Sequence, residues 1–324
     1  MRHCLRTALI CLVILSLPAL TAAETVIKFG HSGSTTHAYH IGALKFADLV
    51  STYSKGDLKV EVFPNSQLGG EKKLAESIRL GVVDMGALSA DGVLSAWLPE
   101  YQVLGMPYLF RDRAHAYKVL DGSIGDDLRK KAETKGVNVL CYWEIGFRHM
   151  TNSKRPIKTV ADMTGLKIRV QPSKVFITMM ESLGAIGTPI AFTELYSALQ
   201  QGVVDGEENP VATIRSMKFN EVQKYLSLTG HTYSSAAVMI SDKLLKKLTP
   251  AQLQVVRRAA EEARDYQRAT LAKMEGDDLE YLKSQGMKVN SVDIAPFVKA
   301  TSVVYDVMKD EAPPALVQTI RSVR

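Results

Sequence analysis

The sequence predicts an α/β protein built as two lobes, and three observations lead to this prediction. Short apolar stretches of alternating polarity recur between segments of helical spacing, a pattern typical of α/β folds. A unit of helix, glycine and strand occurs twice, at 74–86 and again at 195–206. Removing a leader of 23 residues from the 324 leaves 301, which is too long for one ordinary core and suits two.

The chain begins with the pattern of a secretory signal peptide. Arg2 and Arg6 precede an apolar run over 8–17, a proline interrupts that run, and the small residues of 21–23 suit a cleavage site. The run is shorter than the roughly 20 residues that a membrane-spanning helix needs. No cysteine follows the cleavage point to carry a lipid anchor. We therefore expect residues 1–23 to be removed and the mature chain to be soluble and periplasmic.

Cysteine content and charge exclude two classes of protein. Cys4 and Cys11 leave with the predicted signal peptide, so Cys141 remains alone and an intrachain disulfide is not possible. A lone cysteine in an apolar strand is usually a small buried hydrophobe and not a nucleophile. The net charge of +6 falls to +4 without Arg2 and Arg6. Because the basic residues are spread and mixed with acidic ones, the chain does not read as a nucleic-acid binder.

The mature chain is predicted to start with a strand, a helix and a second strand. Residues 25–31 form the first strand, a helix follows from about His37 to Ser54, and 58–64 alternate as a half-buried strand. The segment after the first strand lacks the lysine of a phosphate-binding P-loop. We therefore expect no nucleotide cofactor.

Three histidines lie close together in this part of the sequence, at His31, His37 and His40. A metal site is one interpretation, but no cysteine or carboxylate stands at metal-ligand spacing, so we expect none. His31 lies at the end of a strand and is the better candidate for a hydrogen-bond donor to a ligand.

The repeated unit places a glycine at the end of each predicted helix. The step from Leu74 to Gly81 equals the step from Leu195 to Gly202. Glycine accepts the left-handed conformation that ends a helix, and a short strand follows each copy. Chance or shared local patterns could also produce the match, but two copies favour two similar lobes.

One later stretch, centred on Arg169, has the pattern of a ligand-binding edge. Residues 165–171 predict a strand, Ser173 begins a helix and Gly184 ends it. A further helix and the second repeat lead to Asn209. Ligands of open α/β sheets bind at the carboxyl ends of the strands, where Arg169 and Asn209 would lie.

Three segments of the chain, GLKIRVQPS, TPIAFTELYSALQQGVVDGEENP and KFNEVQKYLSLTGH, resemble the substrate-binding proteins of tripartite ATP-independent periplasmic (TRAP) transporters. The likeness covers almost the whole mature chain. Two further runs, PYLFRDRAHAYKVLDG and YWEIGFR, look most like the branch that binds sugar acids such as hexuronates and diketogulonate. The resemblance implies a two-lobed, periplasmic-binding-protein-like α/β fold that closes about a hinge.

The resemblance also implies that each lobe is discontinuous in sequence. Lobe one is expected to comprise 24–146 and 235–274, and lobe two 147–234 and 275–324. An amphipathic helix that starts at Thr249 is long enough to span both lobes. A coiled-coil partner helix is the competing interpretation, but its heptad pattern is not sustained.

Two arginines at the ends of predicted strands are candidates for binding an anion. Arg148 and Arg169 each present a fixed fork of donors that suits a carboxylate. From position alone, each could instead pair with a structural acid such as Asp162. The resemblance assigns the carboxylate clamp to Arg169 in the KIRV motif, and it matches Arg148 to the second arginine of the family.

The resemblance supplies further candidates for the site. Asn209, in the DG-x-EN motif, would help to hold the ligand, and Phe192 would flank it, with core packing as the alternative. Glu71, Ser89 and Asp91 would lie on the rim of lobe one, where one of them could accept hydrogen bonds from ligand hydroxyls, although exposed acids are usually only solvated. Sialic-acid-binding members carry a glutamate where this chain has Ser89, so that ligand is not expected.

These patterns together predict a periplasmic solute receptor and not an enzyme, a monomer that needs no cofactor. It would capture a small carboxylate, first a sugar acid and second a C4-dicarboxylate, and deliver it to the permease subunits of a TRAP transporter. An exported α/β hydrolase is the rival from another class, but the chain has no Gly-x-Ser-x-Gly motif. A sensor subunit with the same ligand chemistry would have the same sequence features.

Overall fold

The fold is taken from a computed structural model that describes residues 24–324. The predicted signal peptide, 1–23, lies outside the described residues. Within 24–324, no helix combines the length and the apolar character that crossing a membrane requires.

The first part of the chain alternates strands and helices as predicted. Its elements are β1 (Thr25–His31), α1 (Ala38–Ser54), β2 (Leu58–Phe63), α2 (Glu71–Arg79), β3 (Met85–Ser89), α3 (Arg113–Asp121) and α4 (Ser123–Glu133). Two short 3-10 segments, Leu94–Ala96 and Pro99–Gly105, precede α3. His37 is the N-cap of α1, where its ring accepts a hydrogen bond from the Tyr39 amide.

The second part has the same character and ends in helices. Its elements are β4 (Asn138–Asn152), β5 (Lys167–Val170), α5 (Lys174–Ser182), β6 (Ile186–Pro189), α6 (Leu195–Gln200), β7 (Gly206–Asn209), α7 (Val211–Ser216), β8 (Tyr225–Ile240), α8 (Asp242–Lys247), α9 (Pro250–Ser284), β9 (Lys288–Ser291), α10 (Ala295–Thr301), α11 (Val303–Val307) and α12 (Pro314–Ser322). The predicted strand around Arg169 and the helix after Ser173 are therefore present as β5 and α5.

The strands of residues 24–324 all belong to one sheet of nine strands, in the order β2-β1-β3-β8-β4-β7-β5-β6, with β9 added to β8. β1 pairs in parallel with β2 and β3, and β5 pairs in parallel with β6 and β7. Each of these trios carries one lobe, lobe one on β1 to β3 and lobe two on β5 to β7. Between them, β4 and β8 run antiparallel to each other and to the neighbouring trios.

The two copies of the repeat make equivalent contacts in the two lobes. In lobe one the Lys28 amide donates to Asp84 Oδ2 at 2.9 Å, and in lobe two the Lys167 amide donates to Asp205 Oδ2 at 2.9 Å. The glycines that end the preceding helices have φ values of +71° and +69°, the left-handed conformation predicted for them. The repeated unit is therefore the same local structure in both lobes.

The long strands β4 and β8 connect the lobes, and their pairing is irregular near the middle. The register shifts between Glu144 and Gly146, opposite Ser235 and Ser234. Gly146 has a φ of +125°, a conformation that side chains with a Cβ rarely adopt. The predicted lobe boundaries, after residues 146 and 234, fall at this irregularity.

The long helix α9 contacts both lobes, as expected. It has 35 residues and begins with a capping box between Thr249 and Gln252. Gln267 bridges to β4, accepting from the Glu144 amide at 3.0 Å and donating to its carbonyl at 2.7 Å. Further along, Asp278 pairs with Arg215 of α7 in lobe two. The helix therefore runs along the back of the connection between the lobes.

The C-terminal helices pack on both lobes. Buried Phe297, Val304 and Met308 join the core around α5, and the Tyr305 hydroxyl donates to the Pro107 carbonyl at 2.6 Å. At α12, Arg111 Nη1 donates to the Arg321 carbonyl at 2.9 Å. The last segment of the chain thus ties α12 to the start of α3 in lobe one.

Candidate ligand-binding site

A cavity of about 510 Å³ lies between the lobes, next to the carboxyl ends of β3, β5 and β7. It has the size and position expected of a small-molecule site in an α/β sheet. Six of the predicted site residues line it: Arg169, Arg148, Asn209, Phe192, Glu71 and Ser89. The other two, His31 and Asp91, are buried behind the lining and do not border the cavity.

Arg169 presents an unpaired guanidinium to the cavity. Its side chain is 2% exposed, and Nε donates to the Ile190 carbonyl at 2.9 Å. Neither terminal nitrogen has a hydrogen-bond partner in the described part of the chain. Burial lowers the pKa of Arg169 to about 10, with nearby acids only partly offsetting it. A buried cation with two free terminal nitrogens is a site prepared for an anion.

Arg148 has a different environment, although it also lines the cavity. Its guanidinium pairs with both carboxylate oxygens of Glu208 and also donates to the Glu208 carbonyl. Burial alone would lower the pKa of Arg148, but Glu208 outweighs it and the net shift is upward. The structural acid that pairs with Arg148 is therefore Glu208, whereas Asp162 caps a turn with its carboxylate near the Thr159 amide. Most of the donor capacity of Arg148 is already used.

Two buried glutamates on β7 were not predicted as functional residues. Burial would raise the pKa of Glu208, but Arg148 and the His231 ring lower it to about 2. Its neighbour Glu207 forms no ion pair with the described residues, and burial raises its pKa to about 7 despite a hydrogen bond from Thr151 Oγ1 at 2.7 Å and the more distant charge of Arg148. The DG-x-EN motif was the only sequence signal, and it marked the asparagine rather than these acids.

The amide of Asn209 is oriented by Glu207. Asn209 Nδ2 donates to Glu207 Oε2 at 2.5 Å, and the residue is 3% exposed. This contact uses one of the two amide donors. Oδ1 and the second N–H remain, so Asn209 can accept a hydrogen bond from a ligand hydroxyl as well as donate one.

Phe192 closes one side of the cavity as an aromatic wall. Its ring centroid lies 5.9 Å from the Arg169 guanidinium carbon and 6.2 Å from the Phe219 ring. The residue is half-buried, since one face packs on the core of lobe two and the other borders the cavity. It therefore combines the two roles that the sequence left as alternatives, packing and lining.

Glu71 supplies a carboxylate from lobe one. Its Oε1 accepts from Ser32 Oγ at 2.8 Å and its Oε2 accepts from the Ser89 amide at 3.2 Å. Burial away from water raises the pKa of Glu71. The hydrogen bonds from Ser32 and Ser89 oppose that rise, and so does the positive charge of Arg169. Glu71 is thus a hydrogen-bond acceptor that faces the same cavity as Arg169.

Ser89 and Asp91 form a connected pair, of which only Ser89 borders the cavity. Ser89 Oγ donates to Asp91 Oδ1 at 2.9 Å and accepts from the Gly92 amide at 3.0 Å. Asp91 is 0% exposed and also accepts from Ser234 Oγ at 2.6 Å. Because its single proton is used, Ser89 can only accept from a ligand. Asp91 supports Ser89 and β8 from behind.

The three histidines do not act alike. His31 Nε2 lies 3.1 Å from His40 Nδ1, and burial with two neighbouring histidines lowers the pKa of His31 to about 3. The prediction that His31 donates to a ligand is not matched by its position, because it is 1% exposed and turned to His40. His37, in contrast, lines the cavity. No group of metal-ligating side chains large enough to hold an ion occurs among residues 24–324.

The lobes touch across the mouth of the cavity. Ser34 Oγ donates to the Ser216 carbonyl at 3.0 Å. His37 Nδ1 accepts from the Tyr39 amide, so its proton lies on Nε2, which donates to Thr213 Oγ1 at 3.3 Å. Burial lowers the pKa of His37 to about 4, so this arrangement persists at neutral pH. The structure therefore has the lobes closed on each other.

The chain is similar in sequence to known proteins. A family model described as "Bacterial extracellular solute-binding protein, family 7" matches residues 29–311. Among curated proteins, the 2,3-diketo-L-gulonate-binding periplasmic protein YiaO of Escherichia coli (strain K12) is 39% identical over 288 residues, 88% of each chain.

Two solved structures are similar over nearly their full length. A TRAP periplasmic solute-binding protein from Polaromonas sp. JS666, bound to D-erythronate, is 42% identical with a TM-score of 0.90, over 93% of this chain and 99% of its own. Another from Sulfurospirillum deleyianum DSM 6946, with bound succinate, is 35% identical with a TM-score of 0.89, over 93% and 100%.

Proposed function

We propose a ligand for this chain on the premise that it belongs to the family 7 extracellular solute-binding proteins, the receptors of TRAP transporters. The proposed ligand is a sugar acid, that is, a monocarboxylate with several hydroxyl groups. Members of this family bind a solute and do not catalyse a reaction. The ligand class rests on the polar groups that face the cavity between the lobes.

The observation that carries the proposal is the unpaired guanidinium of Arg169. A carboxylate would satisfy both of its free nitrogens at once, and the charge of the ligand would replace the counter-ion that the protein does not provide. Arg148 is less available because Glu208 already neutralises it. One strong anion site favours one carboxylate.

The remaining polar groups favour a ligand with hydroxyls. Glu71 and Ser89 have only acceptors to offer, and Asn209 retains its carbonyl oxygen. Hydroxyl groups can donate to such acceptors, whereas a second carboxylate would be repelled by Glu71. We assign Arg169 to the carboxylate, and Asn209, Glu71 and Ser89 to the hydroxyls.

A C4-dicarboxylate is the second candidate, and a specific observation favours it. Lys72 and Lys73 are exposed at the rim of the cavity and could pair with a second carboxylate away from Glu71. The similar protein from Sulfurospirillum deleyianum has bound succinate, which is a C4-dicarboxylate. A dicarboxylate would then use the rim as its second contact.

We further propose the cellular role that the family implies. The signal peptide would be removed after export, and the two lobes, divided as predicted after residues 146 and 234, would close on the ligand in the periplasm. The closed form would then deliver the ligand to the permease subunits of a TRAP transporter. Closure removes water from the cavity and strengthens the pairing with Arg169.

The test is a thermal-shift screen of the purified mature protein against uronates, aldonates, keto-sugar acids, C4-dicarboxylates, amino acids and neutral sugars. A ligand of the folded state raises the melting temperature as its concentration exceeds Kd. We expect shifts with sugar acids alone. Shifts with dicarboxylates alone would overturn the ligand class but keep the role of Arg169, and no shift with any anion would overturn the proposal.

A further inference from the structure

Glu207 belongs to a network of buried polar side chains next to the cavity. It lies two positions before Asn209 on β7, on the same side of the strand, but does not border the cavity itself. Thr151 Oγ1 lies 2.7 Å from Glu207 Oε1 and 3.1 Å from Gln223 Oε1. Glu207 and Thr151 are 0% exposed. On the other side, Glu207 Oε2 accepts from Asn209 Nδ2. The network thus connects a cavity amide to the interior of lobe two.

With Glu207 ionised, this network would have more acceptors than donors. Gln223 Nε2 donates to the Val222 carbonyl at 2.9 Å, so Gln223 Oε1 is the atom that faces Thr151. A hydroxyl group has a single proton, and Thr151 can donate either to Gln223 or to Glu207 but not to both. A proton on Glu207 Oε1 completes the network, because Glu207 then donates to Thr151 and Thr151 donates to Gln223. Oε2 still accepts from Asn209.

Charged and titratable groups on four strands act on Glu207. They are Glu208 on β7, Arg148 and His149 on β4, Arg169 on β5, and His231 on β8, which pairs with Glu208. Glu208 disfavours a charge on Glu207, whereas Arg148 and Arg169 favour it. His149 Nδ1 accepts from the Gly230 amide, and burial lowers the pKa of His149 to about 3, so its ring is neutral. Burial has the largest effect on Glu207 and brings its pKa to about 7.

We propose that Glu207 holds a proton when the cavity is occupied, so that the receptor takes up a proton from solvent together with its anionic ligand. A carboxylate on Arg169 neutralises a positive charge that favours ionised Glu207, and it brings a negative charge into the cavity. Both changes increase the affinity of Glu207 for a proton. This inference rests on the proposed function, since it assumes a carboxylate on Arg169.

The proton also completes the support of Asn209. Neutral Glu207 gives each acceptor of the network one donor and keeps the Asn209 amide in place, with its Oδ1 free for a ligand hydroxyl. Ionised Glu207 leaves Gln223 Oε1 buried without a donor, which is unfavourable. Glu207 is therefore a positioning residue for Asn209, and its protonated form is the one that suits the bound ligand.

The direction of the pH dependence follows from these charges. The free protein releases the Glu207 proton near pH 7, and the bound ligand moves this release to higher pH. Well below pH 7 Glu207 is protonated with or without ligand, so affinity there does not depend on this group. Above pH 7 binding has to be accompanied by proton uptake, and affinity should fall as the pH rises.

The experiment is calorimetric titration of D-galactonate into the wild type at about pH 7.5, in phosphate and in Tris. These buffers release protons with different heats, so the difference in binding heat counts the protons taken up. The carboxyl group of the ligand is ionised throughout. We expect an uptake of about half a proton per ligand, and a Kd that rises about tenfold from about pH 6 to about pH 9, which corresponds to a pKa shift of about one unit.

Glu207→Gln is the variant that imitates the protonated form. Its amide can donate to Thr151 and accept from Asn209, but it cannot ionise. We expect no proton uptake and a Kd that hardly changes over the same pH range. Glu261→Gln, on the exposed side of α9, is the matched control and should behave as the wild type does. Melting temperatures without ligand show whether each variant is folded.

Glu71 is the rival carrier of the proton. It lines the cavity, and burial raises its pKa as well. Glu71→Gln should bind more weakly, since Glu71 is assigned to a ligand hydroxyl, but it should still take up the proton. Uptake that persists in Glu207→Gln and disappears in Glu71→Gln would overturn the inference.

The wild type alone can also overturn the inference, whether or not Glu207→Gln folds. Binding of D-galactonate without proton uptake would remove the role of Glu207 and leave the sugar-acid proposal standing. Failure to bind D-galactonate would contradict the sugar-acid proposal, and the same titration with succinate would then test the proton uptake separately. Failure to bind either anion would overturn both proposals.

Discussion

Arg169 and Arg148 show how the surroundings of a residue decide its role. Both are 2% exposed arginines at the same cavity, yet burial lowers the pKa of Arg169 while Glu208 raises that of Arg148. Arg148 is already bound to a protein carboxylate, and Arg169 has none. Arg148 therefore ties β4 to β7, and Arg169 is free for a ligand.

Replacing Arg169 with alanine should weaken binding of the ligand by about 2–5 kcal/mol, because a buried carboxylate would lose its charged partner. Lysine should restore only part of the affinity, since a point charge cannot reproduce the two-pronged contact. Calorimetric titration measures both changes. Arg257→Ala, on the exposed face of α9, is the control, and unchanged affinity in Arg169→Ala would contradict the assignment.

Glu207 should make the stability of the protein depend on pH near neutrality. Its pKa is raised from 4.5 to about 7 in the folded protein, chiefly by burial. The folded state therefore binds more protons between these values, and the free energy of unfolding should fall by about 3 kcal/mol as the pH rises through that window. Urea unfolding of the ligand-free protein at several pH values measures this.

The matched variant for this prediction is Glu207→Gln, which cannot ionise. Other buried groups titrate in the same range, so the informative quantity is the difference between the two proteins and not either curve alone. The wild type should lose stability relative to Glu207→Gln as the pH rises from about 4.5 through 7. Parallel curves would show that Glu207 has an ordinary pKa.

The sequence predicted the individual residues of the cavity only in part. Arg169 was recognisable because a strand end and a family motif coincide there. The pairing of Arg148 with Glu208 was not, since 60 residues separate the two and only the sheet brings them together.

Secondary-structure elements, like the cavity residues, could be predicted from the sequence only in part. The first strand was predicted at 25–31 and occurs at Thr25–His31, because apolar and polar residues alternate there. No strand was predicted over β8. Many of its buried residues are polar, with hydroxyl or histidine side chains, such as Ser227, His231 and Ser234. These residues are satisfied by hydrogen bonds to other parts of the chain, His231 with Glu208 and Ser234 with Asp91. This part of the strand therefore lacks the apolar pattern that sequence analysis looks for.

Gly146 and Gly276 should respond oppositely to alanine. Gly146 has a φ of +125° at the irregularity of β4, and an added Cβ would lie 3.1 Å from the Pro210 Cβ. We expect Gly146→Ala to destabilise the protein by about 1–3 kcal/mol. Gly276 lies inside α9 with nothing within 4 Å of an added Cβ, so Gly276→Ala should stabilise by about 0.5–1 kcal/mol. Urea unfolding compares the two, and equal effects would contradict the special role of Gly146.

The whole molecule should become more compact when it binds its ligand. The structure has the lobes in contact through His37 with Thr213 and Ser34 with Ser216. These polar contacts at the cavity are weak, and we expect the free protein to break them by opening at the irregularity of β4 and β8. Small-angle scattering should show a smaller radius of gyration at saturating ligand. Arg169→Ala at the same ligand concentration is the control, and a constant radius in the wild type would contradict closure.

The arrangement of the sheet also relates the two lobes to each other. In the sheet, the trio of lobe one is bordered by β8, although in the chain β8 comes after the trio of lobe two. In the same way, the trio of lobe two is bordered by β4, which in the chain comes after the trio of lobe one. With the equivalent contacts of Asp84 and Asp205, each lobe has the same parallel trio, bordered by the strand that follows the other trio in the chain. In that correspondence Gly30 is the counterpart of Arg169. The two lobes differ at this position, and the cation that an anion can bind stands in lobe two.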